Sequence, residues 1–224
     1  MSGTHHHAHH FNSAEHEFET AKEGMWVFMV TEVLMIGAIF VGYLLFRGMY
    51  LETFHHAHQM LSVPMGALNT VILLASSLTM ALSVSAAQRS EKGKTGLLLG
   101  LTLLCGLGFL VVKYFEYAHK IHEGTLPGGI YRDFVASGHA SAAAKALFEK
   151  FPKAPLFFSF YFVMTGIHAL HVVIGMSLIT WIWWRNKKGE FNSAFYTPVE
   201  LVGFYWHFVD MVWIYLFPLL YLVG

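Results

Sequence analysis

Long apolar runs separated by short polar stretches dominate the chain. A bilayer core of about 30 Å requires roughly 20 apolar residues in a helix, and five runs meet that length. These runs cover residues 25–46, 65–87, 96–117, 155–184 and 199–222. Each is far too long for a membrane strand, and a helix satisfies its own backbone hydrogen bonds in lipid. The pattern therefore predicts an all-α polytopic membrane protein, a bundle of five transmembrane helices.

The composition supports this fold and excludes several other classes of protein. The 224 residues are 55% hydrophobic and 12% charged, about half the charged fraction of an average soluble protein. Because 14 Lys and Arg residues balance 14 Asp and Glu residues, no basic field indicates nucleic-acid binding. A single cysteine excludes an intramolecular disulfide framework. A soluble enzyme, a secreted disulfide scaffold and a disordered tail are all excluded.

Basic residues in the short connections predict the orientation of the bundle. Those flanking the second-to-third and fourth-to-fifth connections are Arg89, Lys92, Lys94, Arg185, Lys187 and Lys188. The positive-inside rule places these connections in the cytoplasm. The histidine- and glutamate-rich tail of residues 1–24 is then cytoplasmic, residues 25–224 form the membrane domain, and the carboxyl terminus lies outside.

The connection of residues 118–154 is the longest and is predicted to lie outside. Pro127, Gly128 and Gly129 indicate a turn in this connection, with a break at Gly138. Apolar residues at helical spacing then predict a short surface helix over residues 141–151.

Ionisable residues inside the spans are the strongest candidates for a functional site, because a charge at the bilayer centre costs about 2.5–3.5 kcal/mol. Glu32 in the first helix is either a protonated, hydrogen-bonded core acid or a functional carboxylate. Lys113 and Glu116, three residues apart in the third helix, are predicted to form a helix-end ion pair that reaches the membrane interface.

Four further polar residues form two pairs at the same spacing. His207 and Asp210 share a face of the fifth helix, where they either satisfy one another or a neighbouring helix, or act functionally. His168 and His171 in the fourth helix have the spacing of a ligand pair. Haem or copper ligation would require more intramembrane histidines or a suitable thiolate. Neither a metal site nor a catalytic residue is therefore predicted.

Four motifs, in order from about residue 24 to the carboxyl terminus, carry a resemblance to a known family. They are WVF at 26–28 with TEVL at 31–34, NTVILL at 69–74 with SS at 76–77, TGIHALHVVIG at 165–175, and VELVGFYWHFVDMVW at 199–213. Together they resemble subunit III of the haem-copper oxidases, the cytochrome c oxidase family, in its five-helix bacterial form.

The resemblance implies an accessory, cofactor-free subunit of a proton-pumping terminal oxidase in aerobic electron transport. Haem and copper are then expected in subunits I and II, which this chain would contact in a bacterial plasma membrane. The family's subunit III stabilises subunit I, holds structural phospholipids, and sustains proton uptake and catalytic lifetime. Glu32 matches its buried, carbodiimide-reactive glutamate, near a lipid-filled cleft and a proposed oxygen route. The intramembrane polar cluster of the family matches His168, His171, His207 and Asp210.

In the seven-helix, mitochondrial-type pattern, two further helices precede the one that carries the family glutamate. The spans predicted here include no counterpart of these two helices before Glu32. A neighbouring subunit would then supply the missing wall of the lipid cleft. The connection of residues 118–154 is long for the five-helix form, so we expect a contact there with a further respiratory complex or a small subunit.

Two alternatives stay open. One is the equivalent subunit of a quinol oxidase or a nitric oxide reductase accessory protein. The other, of a different class, is a free-standing proton-coupled or metal transporter built around Glu32 and the histidines. The sequence shows neither an inverted repeat nor a broken helix pair, which disfavours the transporter.

Overall fold

The computed structural model describes residues 14–125, 141–193 and 195–223. It contains five helices long and apolar enough to cross a membrane, as predicted, and the described residues form no β-strand. Two shorter helices lie between them. In chain order the elements are α1 (Ala14–Met49), α2 (Leu51–His58), α3 (Val63–Gln88), α4 (Lys92–Glu123), α5 (Ala142–Lys150), α6 (Ala154–Lys188), α7 (Thr197–Phe217) and a π-helical turn (Pro218–Leu222).

Local sequence signals set where the helices begin and end. A proline lies in the first turn of α3, α6 and α7, where its missing N–H costs no hydrogen bond. The helices α4 and α6 end at Gly124 and Gly189, which adopt positive φ angles of 77° and 79°. Residues with a Cβ adopt this conformation at a cost, so glycine is favoured there. The Ser141 hydroxyl caps α5 by accepting a hydrogen bond from the Ala144 N–H at 3.1 Å.

Several helices extend beyond the apolar runs. The helix α1 begins at Ala14, so residues 14–24 of the predicted tail are helical. The end of α4 and all of α5 lie within the connection of residues 118–154, which confirms the short helix predicted at 141–151. The turn expected at residues 127–129 and the break at Gly138 lie outside the described residues, as do residues 1–13.

The amphipathic helix α2 was not predicted. Its eight residues are too few to span a membrane, although their apolar side chains recur at every third position, as in a helix with one apolar face. Thr53, Phe54 and Ala57 are buried on one face. The Phe54 ring lies 5.4 Å from that of Tyr43 in α1 and 5.5 Å from that of Phe157 in α6. Aromatic contacts of this kind fix α2 across one end of the bundle.

The core of the bundle surrounds α7. Its Trp206 and Trp213 are completely buried. In the most apolar stretch of the last span, 56% of the residues are buried. In the corresponding stretch of α1, only 6% of the residues are buried. The helix α1 packs by one face only, as in the contact of 6.0 Å between the rings of Phe28 and Tyr205. Most of its apolar surface therefore requires a lipid or protein environment outside this chain.

Candidate intramembrane site

Glu32 is not an isolated acid, because it pairs with His171. The Oε2 atom of Glu32 lies 3.0 Å from Nε2 of His171, across the boundary between α1 and α6. The side chains are 16% and 12% exposed, so neither is fully enclosed. Since these residues are 139 positions apart, sequence spacing gave no sign of the pair. The contact joins the loosely packed helix to the rest of the bundle.

The tautomer of His171 follows from its second hydrogen bond. Its Nδ1 lies 2.8 Å from the carbonyl oxygen of Ile167, and a carbonyl can only accept, so Nδ1 carries a proton. The contact with Glu32 is then either an imidazolium–carboxylate pair or a carboxylic acid that donates to neutral imidazole. The two states differ only in which atom holds the shared proton. The geometry therefore provides a group that can hold a proton within the membrane.

A small apolar cavity of about 20 Å³ adjoins the pair between α1, α6 and α7. His168 and His171 both line it, with Phe40 and Val209 among the apolar walls. His168 is only 3% exposed, and its ring lies 5.4 Å from Phe109. Its Nε2 has no hydrogen-bond partner among the described residues. The two histidines thus share a space but differ in environment, and the described residues contain no group of three or more metal-ligating side chains.

His207 and Asp210 do not satisfy one another. Instead, Ser77 Oγ lies 2.7 Å from His207 Nδ1, and Ser76 Oγ donates to Asp210 Oδ2 at 3.3 Å. The indole N–H of Trp206 donates to Ser76 Oγ at 3.1 Å. Two adjacent serines on α3 are therefore the hydrogen-bond partners of His207 and Asp210.

The four residues expected in the intramembrane polar cluster, His168, His171, His207 and Asp210, have different nearest partners. The first two face α1, α4 and the apolar space, whereas the last two face α3. The two pairs lie on different helices, α6 and α7, so each faces different neighbours. The paired serines were part of the sequence motif but gave no sign of these contacts.

The Lys113–Glu116 ion pair is present, and the bundle encloses it. The ammonium of Lys113 lies 3.0 Å from Glu116 Oε2, and the side chains are only 4% and 1% exposed. Lys113 also donates to the hydroxyls of Tyr161 and Tyr221, at 3.2 and 3.1 Å, and Tyr221 donates to Glu116 Oε1 at 2.5 Å. These partners allow the charges to remain inside the bundle instead of reaching water.

No pattern in the sequence points to Tyr161 or Tyr221 as partners of Lys113. They are 48 and 108 residues from Lys113, so only the folded bundle brings them together. The rings of Tyr161 and Trp213 lie 5.0 and 5.2 Å from the Lys113 ammonium, within cation–π range. Because Tyr221 belongs to the π-helical turn, this network also holds the carboxyl-terminal turn against α4 and α6.

Comparison with known proteins decides the family. A family model described as cytochrome c oxidase subunit III matches residues 151–224, which include α6 and α7. A cytochrome c oxidase subunit 3 from Thermostichus vulcanus is 32% identical over 202 residues, covering 89% of this chain and 86% of that protein. The chain belongs to the cytochrome c oxidase subunit III family. The motifs on α1, α3, α6 and α7 thus gave the correct family.

Other members of the subunit III family show similar coverage. A cytochrome c oxidase subunit 3 from Corynebacterium diphtheriae is 31% identical over 207 residues, with 89% of this chain and 86% of that protein covered. A quinol oxidase subunit 3 from Bacillus subtilis is 28% identical over 228 residues, and the alignment covers 97% of this chain and 97% of that protein. Family membership identifies a multi-pass membrane subunit of a haem-copper oxidase, which assembles with other oxidase subunits.

Proposed function

We propose that the chain is an accessory, cofactor-free subunit III of a proton-pumping cytochrome c oxidase in a bacterial plasma membrane. It packs against subunits I and II, which hold haem and copper, stabilises subunit I and supports proton uptake. Structural phospholipids cover part of its surface, and residues 118–154 contact a further respiratory complex or a small subunit. The amino terminus faces the cytoplasm and the carboxyl terminus the outside, as the basic connections favour.

The Glu32–His171 pair is the observation that carries this proposal. The charges of Lys113 and Glu116 are enclosed by their own partners, whereas Glu32 and His171 keep 16% and 12% of their side chains accessible. They also join α1, whose apolar window has the smallest buried share among the five spans, to the rest of the bundle. An acid and a base that share one proton at such an edge can buffer proton supply to a neighbouring subunit without performing redox chemistry.

Glu32→Gln in the intact oxidase tests this role. The variant keeps the shape of the side chain but removes the titrating carboxyl group. We expect normal assembly, a normal initial rate of oxygen consumption and faster inactivation during sustained turnover. His171→Gln should behave in the same way, because it removes the other half of the proton-sharing pair.

Glu200→Gln is the matched control, since Glu200 pairs with Lys22 at 3.4 Å, away from the site. Oxygen consumption is followed until the activity decays, with haem content measured in parallel to verify assembly. An immediate collapse of the initial rate in an intact Glu32→Gln complex would contradict the accessory role. An unchanged inactivation rate would show that the pair serves packing alone.

A quinol oxidase is the second candidate. The Bacillus subtilis quinol oxidase subunit 3 is covered along 97% of both chains, more than the cytochrome c oxidase subunits described above. The donor site belongs to another subunit, so a dicopper motif in the neighbouring chain favours cytochrome c. The reported relatives are oxidase subunits and lend no support to a free-standing transporter. Assays with reduced cytochrome c and with a quinol distinguish the two donors.

A further inference from the structure

One face of α7 is left open by the described part of the chain, although α7 belongs to the span with the largest buried share. Phe204, Met211 and Tyr215 on this face are 42%, 55% and 62% exposed. His207 lies three positions after Phe204 and four before Met211, so it shares the same side of the helix. The open face therefore consists of three large side chains with a histidine among them.

The contacts of α7 place this open face between α3 and α1. On one side, Ser77 of α3 meets His207, with 2.7 Å between Oγ and Nδ1. On the other side, the Tyr205 ring lies 6.0 Å from the Phe28 ring of α1. The exposure of the side chains between these two contacts shows that no other element of the described chain covers them.

His207 has one hydrogen-bond partner on α3 and a second nitrogen without one. Ser77 Oγ makes no other hydrogen bond in the described chain, so its hydroxyl donates to His207 Nδ1. A neutral imidazole that accepts at Nδ1 carries its hydrogen on Nε2. This Nε2–H has no acceptor among the residues that the structure describes, and they do not enclose it. The ring therefore presents a hydrogen-bond donor on the open face.

The depth of His207 in the membrane restricts what can accept this hydrogen bond. His207 lies ten residues after Thr197, the first residue of α7, which is about 15 Å along the helix axis. The apolar part of a bilayer is about 30 Å thick, so the donor lies near its centre. Acyl chains contain no acceptor, and leaving a polar group unpaired in hydrocarbon is costly. Polar side chains at this depth accordingly face protein rather than lipid.

We propose that the open face of α7 binds a transmembrane helix of a neighbouring oxidase subunit, with an oxygen atom of that helix accepting a hydrogen bond from His207 Nε2. Phe204, Met211 and Tyr215 contact the apolar side chains of the same helix. The inference uses only the family's assembly with other oxidase subunits and does not depend on the role of the Glu32–His171 pair. His207 is then a contact residue between subunits.

Photo-crosslinking in the intact oxidase identifies what covers this face. Met211 is replaced by the photoreactive residue p-benzoylphenylalanine, which forms a covalent bond with a neighbouring C–H group when the native membranes are irradiated. We expect a product whose mass is that of this chain plus another oxidase subunit. A product with lipid alone, or with a second copy of this chain, would overturn the proposal.

His207→Leu tests the hydrogen bond itself. Leucine is more compatible with acyl chains than histidine, so a face covered by lipid would tolerate the change. We expect instead that the chain associates with the complex about fivefold more weakly, equivalent to about 1 kcal/mol for one interhelical hydrogen bond. The measurement is the amount of this chain retained per haem during extraction with increasing detergent.

His207→Gln is the matched variant, because its side-chain amide can place an N–H near the position of Nε2. It should restore most of the retention that His207→Leu loses. Retention of the His207→Leu chain equal to that of the unaltered chain would contradict the proposed hydrogen bond, as would equal losses in the two variants. If His207→Leu fails to fold, the crosslink from position 211 still decides what occupies the face.

Discussion

The ion pairs Lys113–Glu116 and Glu32–His171 differ in how completely the protein encloses them. The first has hydroxyl partners for both charges and is almost inaccessible. The second shares one proton at the edge of the bundle. A buried charge with all its partners contributes to one fixed structure, whereas an accessible pair can exchange its proton. We therefore expect the first pair to contribute to stability and propose a functional role for the second.

The Lys113–Glu116 assignment predicts an asymmetric mutational response. Lys113→Met leaves a buried Glu116 carboxylate without its cation, which should reduce the free energy of unfolding by about 3–5 kcal/mol. The double variant Lys113→Met, Glu116→Gln should recover most of that loss, because it removes both charges. Denaturant titration in mixed micelles measures the free energy of unfolding of the unaltered protein, the single variant and the double variant.

Lys94→Met is the matched control for this experiment, since Lys94 pairs with Glu91 at 3.0 Å and is 70% exposed. Exposed pairs contribute little to stability, so this change should be far milder. Equal losses for Lys113→Met and Lys94→Met would refute a structural role for the buried pair.

At the residue scale, the sequence predicts which groups are unusual but not where they point. The cost of charge in lipid identified Glu32, and the three-residue spacing identified the Lys113–Glu116 pair. The pairings of Glu32 with His171 and of Glu116 with Tyr221 link separate elements and depend on how helices distant in sequence pack. No alternation of polar and apolar residues along one helix carries that information.

At the scale of elements, α6 and α7 pack closely against one another at Gly175. A Cβ on Gly175 would meet ring carbons of Trp206 at 2.8 and 2.9 Å and of Tyr205 at 3.1 Å. Trp206 is completely buried, so its ring has little room to move. The glycine therefore sets the distance at which the two helices pack.

Gly175→Ala should destabilise the bundle by about 1–3 kcal/mol, the usual cost of overpacking a core. Gly37→Ala is its control, since a Cβ on Gly37 in α1 would have no neighbour within 4 Å. Thermal unfolding in detergent, followed by circular dichroism, compares the two. A Gly175→Ala variant as stable as Gly37→Ala would mean that α6 and α7 are less closely packed than described.

The elements themselves were largely predictable because hydropathy reports directly on a bilayer. All five spans appear where apolar runs of sufficient length occur. The helices α1 and α6 are longer than their apolar runs. Polar residues continue each helix beyond the apolar run, and hydropathy does not report them. The helix α2 was not predicted because it is only eight residues long and is held in place by the packing of Phe54 against Tyr43 and Phe157.

At the scale of the whole molecule, the bundle is asymmetric. The last span is 56% buried in its most apolar window and α1 only 6%, so α1 is the helix that most needs an external partner. The helix with the least support also carries Glu32. This arrangement fits a subunit that completes its packing, and delivers its function, at a boundary with lipid and a larger oxidase subunit.

The central claim is that this chain works as part of a haem-copper oxidase. The most direct measurement is a reduced-minus-oxidised visible spectrum of the complex that copurifies with the chain from its native membranes, together with oxygen consumption. We expect haem bands and oxygen consumption supported by cytochrome c. Oxygen consumption supported only by quinol would assign the chain to the quinol oxidases. A stable, monodisperse and haem-free preparation of the chain alone would contradict the account and favour an independent membrane protein.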